Sequence, residues 1–315
     1  MKDIFYDKQS DGCYKNLENQ IHSIMKHANE GSIKTRYRYE AATERFCAFL
    51  SKEYKLQKFE NVKSKHVIAY AEFLKSEGKS ASTIKTDLAG VRYFHRHSGS
   101  KNVLIDNSKL NLEQRQFAKI DRSWTTGEIE TAKAYAKEIG RTDVYAAINL
   151  SAAFGLRLEE VCKVTPSHLK QALSDGELWT KGKNGQERYI QIRNEHQTAV
   201  IKETLVYADQ LKLKSTDKIV CNQKESVQKT KRSIQNFISN HQHKFIDPNR
   251  TDIKDTNKIK LNNINFHGLR YYYCNTLYED LTKNFPDNYN KSEAKRYCSE
   301  QLGHHRESVT DIYLK

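Results

Sequence analysis

Apolar residues return at helical spacing through the first hundred positions. Ala42, Phe46, Phe49 and Leu50 recur at intervals that place them on one face, which predicts a helix running from Ile33 with Ser32 as its cap. Val67, Ala71 and Leu74 predict a second, capped by Ser64 and closed before Gly78. Ile84, Leu88, Val91 and His95 predict a third that Ser82 opens, with Lys85, Thr86, Arg92 and Arg96 on its other face. A weaker pattern covers Asn16 to Asn29. Together these make one small helical domain.

Periodicity then dissolves. Residues 99–122 are polar and irregular and read as a connection. The expected organisation is a helical domain over residues 1–104, a linker over 105–122 and a second domain over 123–315. Trp124-Thr125-Thr126 opens the second domain, and Val144, Ile148 and Ala152 form an apolar stripe leading into AAFGLRLEEV. The one β signal is a pair of short runs, ELWT and RYIQI, flanking TKGKNGQE. Asn184-Gly185 is the preferred dipeptide of a two-residue type I′ turn, which puts Lys183 at a hairpin tip. Helices are expected around Thr198–Leu213 and Ser226–Phe245, followed by a polar stretch ahead of His267. The fold class is therefore mainly α with a small β-hairpin, in two domains.

Charge narrows the partner. Lys and Arg number 53 against 39 Asp and Glu, a surplus of +14 that works against compaction and fits a polyanionic partner. No apolar run approaches membrane-spanning length, and the first residues, MKDIFYDKQSDGCYK, lack the apolar core of a signal peptide, so nucleic acid is favoured over a membrane surface. Six scattered cysteines without a C-x-x-C pair (Cys13, Cys47, Cys162, Cys221, Cys274, Cys298) read as reduced thiols of a cytoplasmic protein. His241-Gln242-His243 and His304-His305 lack the carboxylates or thiols of a metal site, so neither metal nor cofactor is expected.

Five segments of the second domain carry chemistry: GLRLEE with Arg157, KGKNGQER with Lys183, HGLR with His267 and Arg270, LGHH with His304, and DIYL with Tyr313. Metal-free cleavage of a phosphodiester needs donors aimed at oxygens that gain charge in the transition state. Arginine suits this, being planar, forked and always protonated, so Arg157 and Arg270 are the candidate clamp. Tyr313 is the candidate nucleophile, a phenol that needs a proton acceptor or a cationic site to become reactive. Lys183 is placed to protonate the leaving oxygen, with Lys181 as the fallback, and His267 and His304 to hydrogen-bond and relay protons.

In that order and at those intervals the segments resemble the tyrosine recombinase (phage integrase) family. Glu160 lies three residues after Arg157 and His304 nine before Tyr313, as in that family, and aligning Glu187-Arg188 selects Lys183 as the lysine. SIKTRYRYEAATERFCAF resembles the family's helical, SAM-like core-binding domain. The resemblance implies an α+β catalytic domain and attack by Tyr313 to give a 3′-phosphotyrosine and a free 5′-hydroxyl. It further implies a homotetramer exchanging strands on paired sites, from monomers or dimers off DNA, for integration and excision of a mobile element. The chain departs in two polar insertions, and it closes two residues after Tyr313, where many members carry a helix that docks on a neighbour.

Two other functions use overlapping features. A type IB topoisomerase-like enzyme would relax DNA without defined sites, and an inert DNA-binding regulator would not need the whole catalytic set. Lys34, Thr83 and Lys85 are candidate DNA contacts from helix position alone. Tyr271-Tyr272-Tyr273 reads as part core and part rim, and Lys229, Lys231 and Arg232 as cations facing phosphates or solvent.

Overall fold

The structure is a computed structural model and describes residues 11–113, 122–182, 185–221, 225–250, 264–285, 290–304 and 310–314. The chain divides into two compact units, residues 1–116 and 117–315.

The first unit holds four helices: α1 (Gly12–His27), α2 (Ile33–Tyr54), α3 (Ser64–Ser76) and α4 (Ala81–Arg96). Its core is Leu17, Ile21, Phe46, Leu50, Val67, Tyr70, Leu88 and Phe94, all buried. Ser32 caps α2 as expected, accepting from the Thr35 amide at 3.2 Å. The two following caps differ from expectation. Ser80 rather than Ser82 caps α4. Ser64 is the first residue of α3, and its hydroxyl bonds Val103 O and the Ile105 amide. Arg92, on the face opposite the apolar stripe, donates to Ile105 O and Asn107 Oδ1. Within the stretch read as linker, Leu110 is buried on this core with Ile105 and Leu112 packed against it. Gly90 lets α4 meet α2 closely, since a Cβ there would sit 2.9 Å from Tyr39 O.

The second unit holds α5 (Thr126–Glu138), α6 (Thr142–Phe154), α7 (Leu158–Val161), α8 (Pro166–Asp175), α9 (Glu195–Gln210), α10 (Val227–His241), α11 (Gly268–Asn284) and α12 (Lys291–Gln301), with strands β1 (Glu177–Lys181) and β2 (Glu187–Gln191) between α8 and α9. Val144 and Ile148 of α6 are fully buried and Ala152 is half-buried, so α6 runs through the core among α5, α9 and α11. The strands pair antiparallel from Glu177↔Gln191 to Lys181↔Glu187, with Leu178 and Ile190 facing the core. The two-residue turn expected at Asn184-Gly185 falls partly outside the described residues; on either side of it the Gly182 amide bonds Gln186 O at 2.7 Å and Gly185 has φ +77°. Lys183 and Asn184 themselves lie outside the described residues.

No helix among the described residues is long and apolar enough to cross a membrane. His241 packs against Tyr135 and Phe237, with Nδ1 3.2 Å from the Tyr135 hydroxyl, so part of the His241-Gln242-His243 motif serves the core.

Candidate active site

Arg157 stands at the start of α7, between the left-handed Gly155 that ends α6 and a capping box closed by Glu160. The Glu160 carboxylate is buried and takes four bonds: the Arg157 amide at 2.8 Å, Arg157 Nη1 at 2.9 Å, and both Nη atoms of Arg188 at 2.8 Å. Burial works to raise the Glu160 carboxyl, but the Arg188 bonds and charge outweigh it and hold it at about 2. Arg188 comes from β2 and also donates Nε to Gln301 O at 3.0 Å, at the end of α12. One arginine thereby joins the hairpin, the Arg157 turn and the approach to His304. In the sequence Arg188 stands out only as half of the Glu187-Arg188 pair; nothing in a period-two strand reveals a partner 28 residues away.

The hairpin comes close to the same ion pair. A Cβ on Gly182 would stand 3.0 Å from Glu160 Oε1 and 3.6 Å from Arg157 Nη1. Lys183, the next residue, is outside the described set, and Lys181 is exposed and paired with Glu187 Oε1 at 2.9 Å.

Helix α11 carries the other cluster. His267, Arg270 and Tyr271 fall at spacings of three and four and share a face. Trp124 Nε1 bonds Asn265 O at 2.9 Å, and a side chain at Gly268 would collide with Arg122 O and Trp124, so the start of α11 is pressed against the 122–124 segment. Arg270 is fully buried. Its Nη1 bonds Gly155 O, its Nη2 bonds Leu302 O and lies 3.2 Å from His304 Nε2, and its buried Nε has no partner among the described residues. Burial, then the charge of Arg157, brings Arg270 down to about 10, which leaves it protonated at neutral pH.

Tyr313 sits on a terminal turn in which its amide bonds Thr310 O at 2.9 Å. Its hydroxyl is 2.9 Å from His267 Nε2, and the Arg270 guanidinium lies 5.9 Å from its ring centre. The ring is 7% exposed, yet buried against the guanidinium rather than away from it. A cavity of about 420 Å³ beside His267 is lined by Leu158, Gln235, Ile238, Gln242 and Phe266. The structure thus gathers Arg157, His267, Arg270, His304 and Tyr313, with Lys183 outside its description. Lys34 and Thr83 are exposed in the first turns of α2 and α4, and Lys85 donates to Glu113 O at 3.2 Å. On α10, Lys229 and Arg232 are exposed, whereas Lys231 pairs with Glu159 at 2.9 Å.

The model of the phage integrase family matches residues 124–315, and that of the phage integrase N-terminal SAM-like domain matches residues 23–99. The chain is a tyrosine recombinase of the phage integrase family. It is similar in fold to a lambda integrase (75–356) dimer bound to a COC′ core site, at 16% identity and TM-score 0.60, with 94% of each chain covered. A lambda integrase tetramer bound to a Holliday junction matches at 15% identity and TM-score 0.60, covering 95% of this chain and 77% of that one. XerH recombinase bound to difH matches at 15% identity and TM-score 0.56, covering 94% and 81%. No curated protein matches the sequence significantly.

Electrostatics make this recombinase acid-sensitive. Burial, then the charges of Arg270 and Arg157, push His267 down to about 4 and His304 to about 3, from an ordinary 6.5. The unfolded chain therefore binds more protons than the folded one below about pH 6.5, so stability present above that pH is lost as pH falls toward 4. Because His267 is exposed and His304 half-buried, solvent screening limits the loss to on the order of 1–2 kcal/mol. Thermal melts from pH 7.5 to 4.5 should show a falling midpoint, and His304→Gln should flatten the curve. A slope identical in that variant would remove His304 from the account.

Proposed function

We propose that this recombinase cuts and rejoins double-stranded DNA at specific sites through a 3′-phosphotyrosine on Tyr313, in the service of integration and excision of a mobile element. What carries the reading is the Tyr313 hydroxyl, 2.9 Å from His267 Nε2 and beside the Arg270 guanidinium.

The neutral His267 imidazole accepts the phenol proton, and the nearby guanidinium charge favours phenolate. The Tyr313 oxygen bonds to phosphorus as the bond from phosphorus to the 5′ oxygen breaks. That oxygen takes a proton, which we assign to Lys183. Arg157 and Arg270 bind the non-bridging oxygens, and the buried Arg270 Nε, without a partner among the described residues, suits one of them. His304 Nε2 accepts from Arg270 Nη2 at 3.2 Å and so orients that guanidinium. The phosphotyrosine keeps the energy of the broken bond, so attack by a 5′-hydroxyl reverses the step without metal or nucleotide. Lambda integrase has been captured as a tetramer on a Holliday junction, and a homotetramer on paired sites is the assembly proposed here. Lys34 and Thr83 are proposed DNA contacts; Lys85 is the weakest of the three because Glu113 O holds its amine.

Lys183 provides a direct test. Lys183→Ala should cleave a nicked suicide duplex at least about 100-fold more slowly, the range of general-acid catalysis. A 5′-bridging phosphorothiolate, whose sulfur leaves without a proton, should restore the rate. Failure of that substrate to help would transfer the role to Lys181 or another group. Relaxation of supercoiled plasmid lacking paired sites would favour the topoisomerase reading.

A further inference from the structure

We propose that Tyr271 is a positioning residue whose ring seats the Tyr313 side chain, so that each protomer holds its own nucleophile ready before DNA arrives. The inference rests on the assignment of Tyr313 as nucleophile.

Several rings converge there. Tyr271 and Tyr313 lie 4.3 Å apart between ring centres, tilted by 36°. His304 lies 5.0 Å from Tyr313 at 36°, and His267 meets it edge-on at 5.7 Å and 63°. Tyr271 and Tyr313 are each 7% exposed. On α11, Tyr271 shares a face with His267 and Arg270, so the helix that binds the phenol oxygen also supplies the surface beneath its ring.

Such a seat answers a mechanical need. Tyr313 belongs to a short terminal turn, tied back by two backbone bonds to Thr310 O and by the Lys295–Asp311 ion pair. Those ties fix the turn's backbone but leave the side chain free to rotate. A single bond to His267 would hold the oxygen at one point, whereas a ring contact adds a plane. Fixing both raises the effective concentration of the nucleophile at the phosphate. Tyr271 also meets the His267 ring edge-on at 5.7 Å and 79°, so it acts through the placement of Tyr313 and of the imidazole beside it. As a purely structural core residue it would instead affect melting and DNA affinity.

The experiment is single-turnover formation of the covalent adduct on a nicked suicide duplex at saturating enzyme, with DNA affinity and melting measured alongside. Tyr271→Leu should slow the adduct by about 2- to 10-fold, the scale of a lost aromatic pair, while DNA affinity stays unchanged. Tyr271→Phe, which keeps the ring, should restore the full rate. Should the leucine variant not fold, Tyr271→Met removes the ring with an unbranched chain of similar reach. A full rate without the ring, or a phenylalanine variant as slow as leucine, would overturn the proposal. Tyr313→Phe run in parallel separates the two layers. An adduct from that protein removes the nucleophile assignment itself, whereas full-rate Tyr271→Leu beside an inert Tyr313→Phe removes only the seat.

Discussion

Tyr313→Phe is expected to bind its DNA with unchanged affinity and to form no covalent adduct, a loss on the order of 10⁴-fold or more, as when a nucleophile is deleted. One oxygen is removed and the ring remains. The Tyr271 and His304 contacts are ring contacts, so they survive. Among the described residues the hydrogen bond given up is that to His267 Nε2, about 0.5–1.5 kcal/mol of stability. Melting should therefore shift by only a few degrees while cleavage vanishes, and that separation is the informative result. Gel mobility with intact duplex reads affinity, and denaturing electrophoresis after incubation with a nicked suicide duplex reads the adduct. Adduct formation by the phenylalanine protein would show that another side chain attacks.

The order of the chemical segments was legible because each is short and local: GLR at a helix end, H-x-x-R on one turn of α11, and a tyrosine nine residues after a histidine. The helices were legible for the same reason, their apolar spacing being a property of each segment alone. What escaped was set by contacts distant in sequence. Ser64 reads as a cap, but Ile105, 41 residues on, claims its hydroxyl, and α3 begins without a serine cap. Arg92 reads only as a residue on the helix face opposite the apolar stripe, yet Ile105 O and Asn107 lie within reach of its fork. Gly182 reads only as part of a hairpin, yet it packs against the Glu160–Arg157 pair. Arg188 and Tyr271 carry no local signature. The first is defined by a carboxylate on α7 and the second by a ring on the terminal turn.

Arg270→Lys should damage both folding and chemistry, and more than the corresponding change at Arg157. The Arg270 fork reaches Gly155 O and Leu302 O together, joining the turn that presents Arg157 to the segment that presents His304. A lysine is a point charge on a flexible stem and cannot span both carbonyls. One acceptor would lose its partner in a fully buried site, costing about 1–3 kcal/mol. Arg157 keeps a third of its side chain exposed and is anchored by Glu160, so its replacement leaves no carbonyl stranded. In the reaction, Arg270→Lys also forfeits Nε, the donor with no partner among the described residues, and loss of one such donor slows turnover about 10²- to 10³-fold. Single-turnover cleavage should fall by at least that factor, with a lowered melting temperature. Arg157→Lys should slow cleavage with little change in melting. If the two lysine variants melt alike, Arg270 is not the tie between the two halves of the site, and its burial serves packing alone.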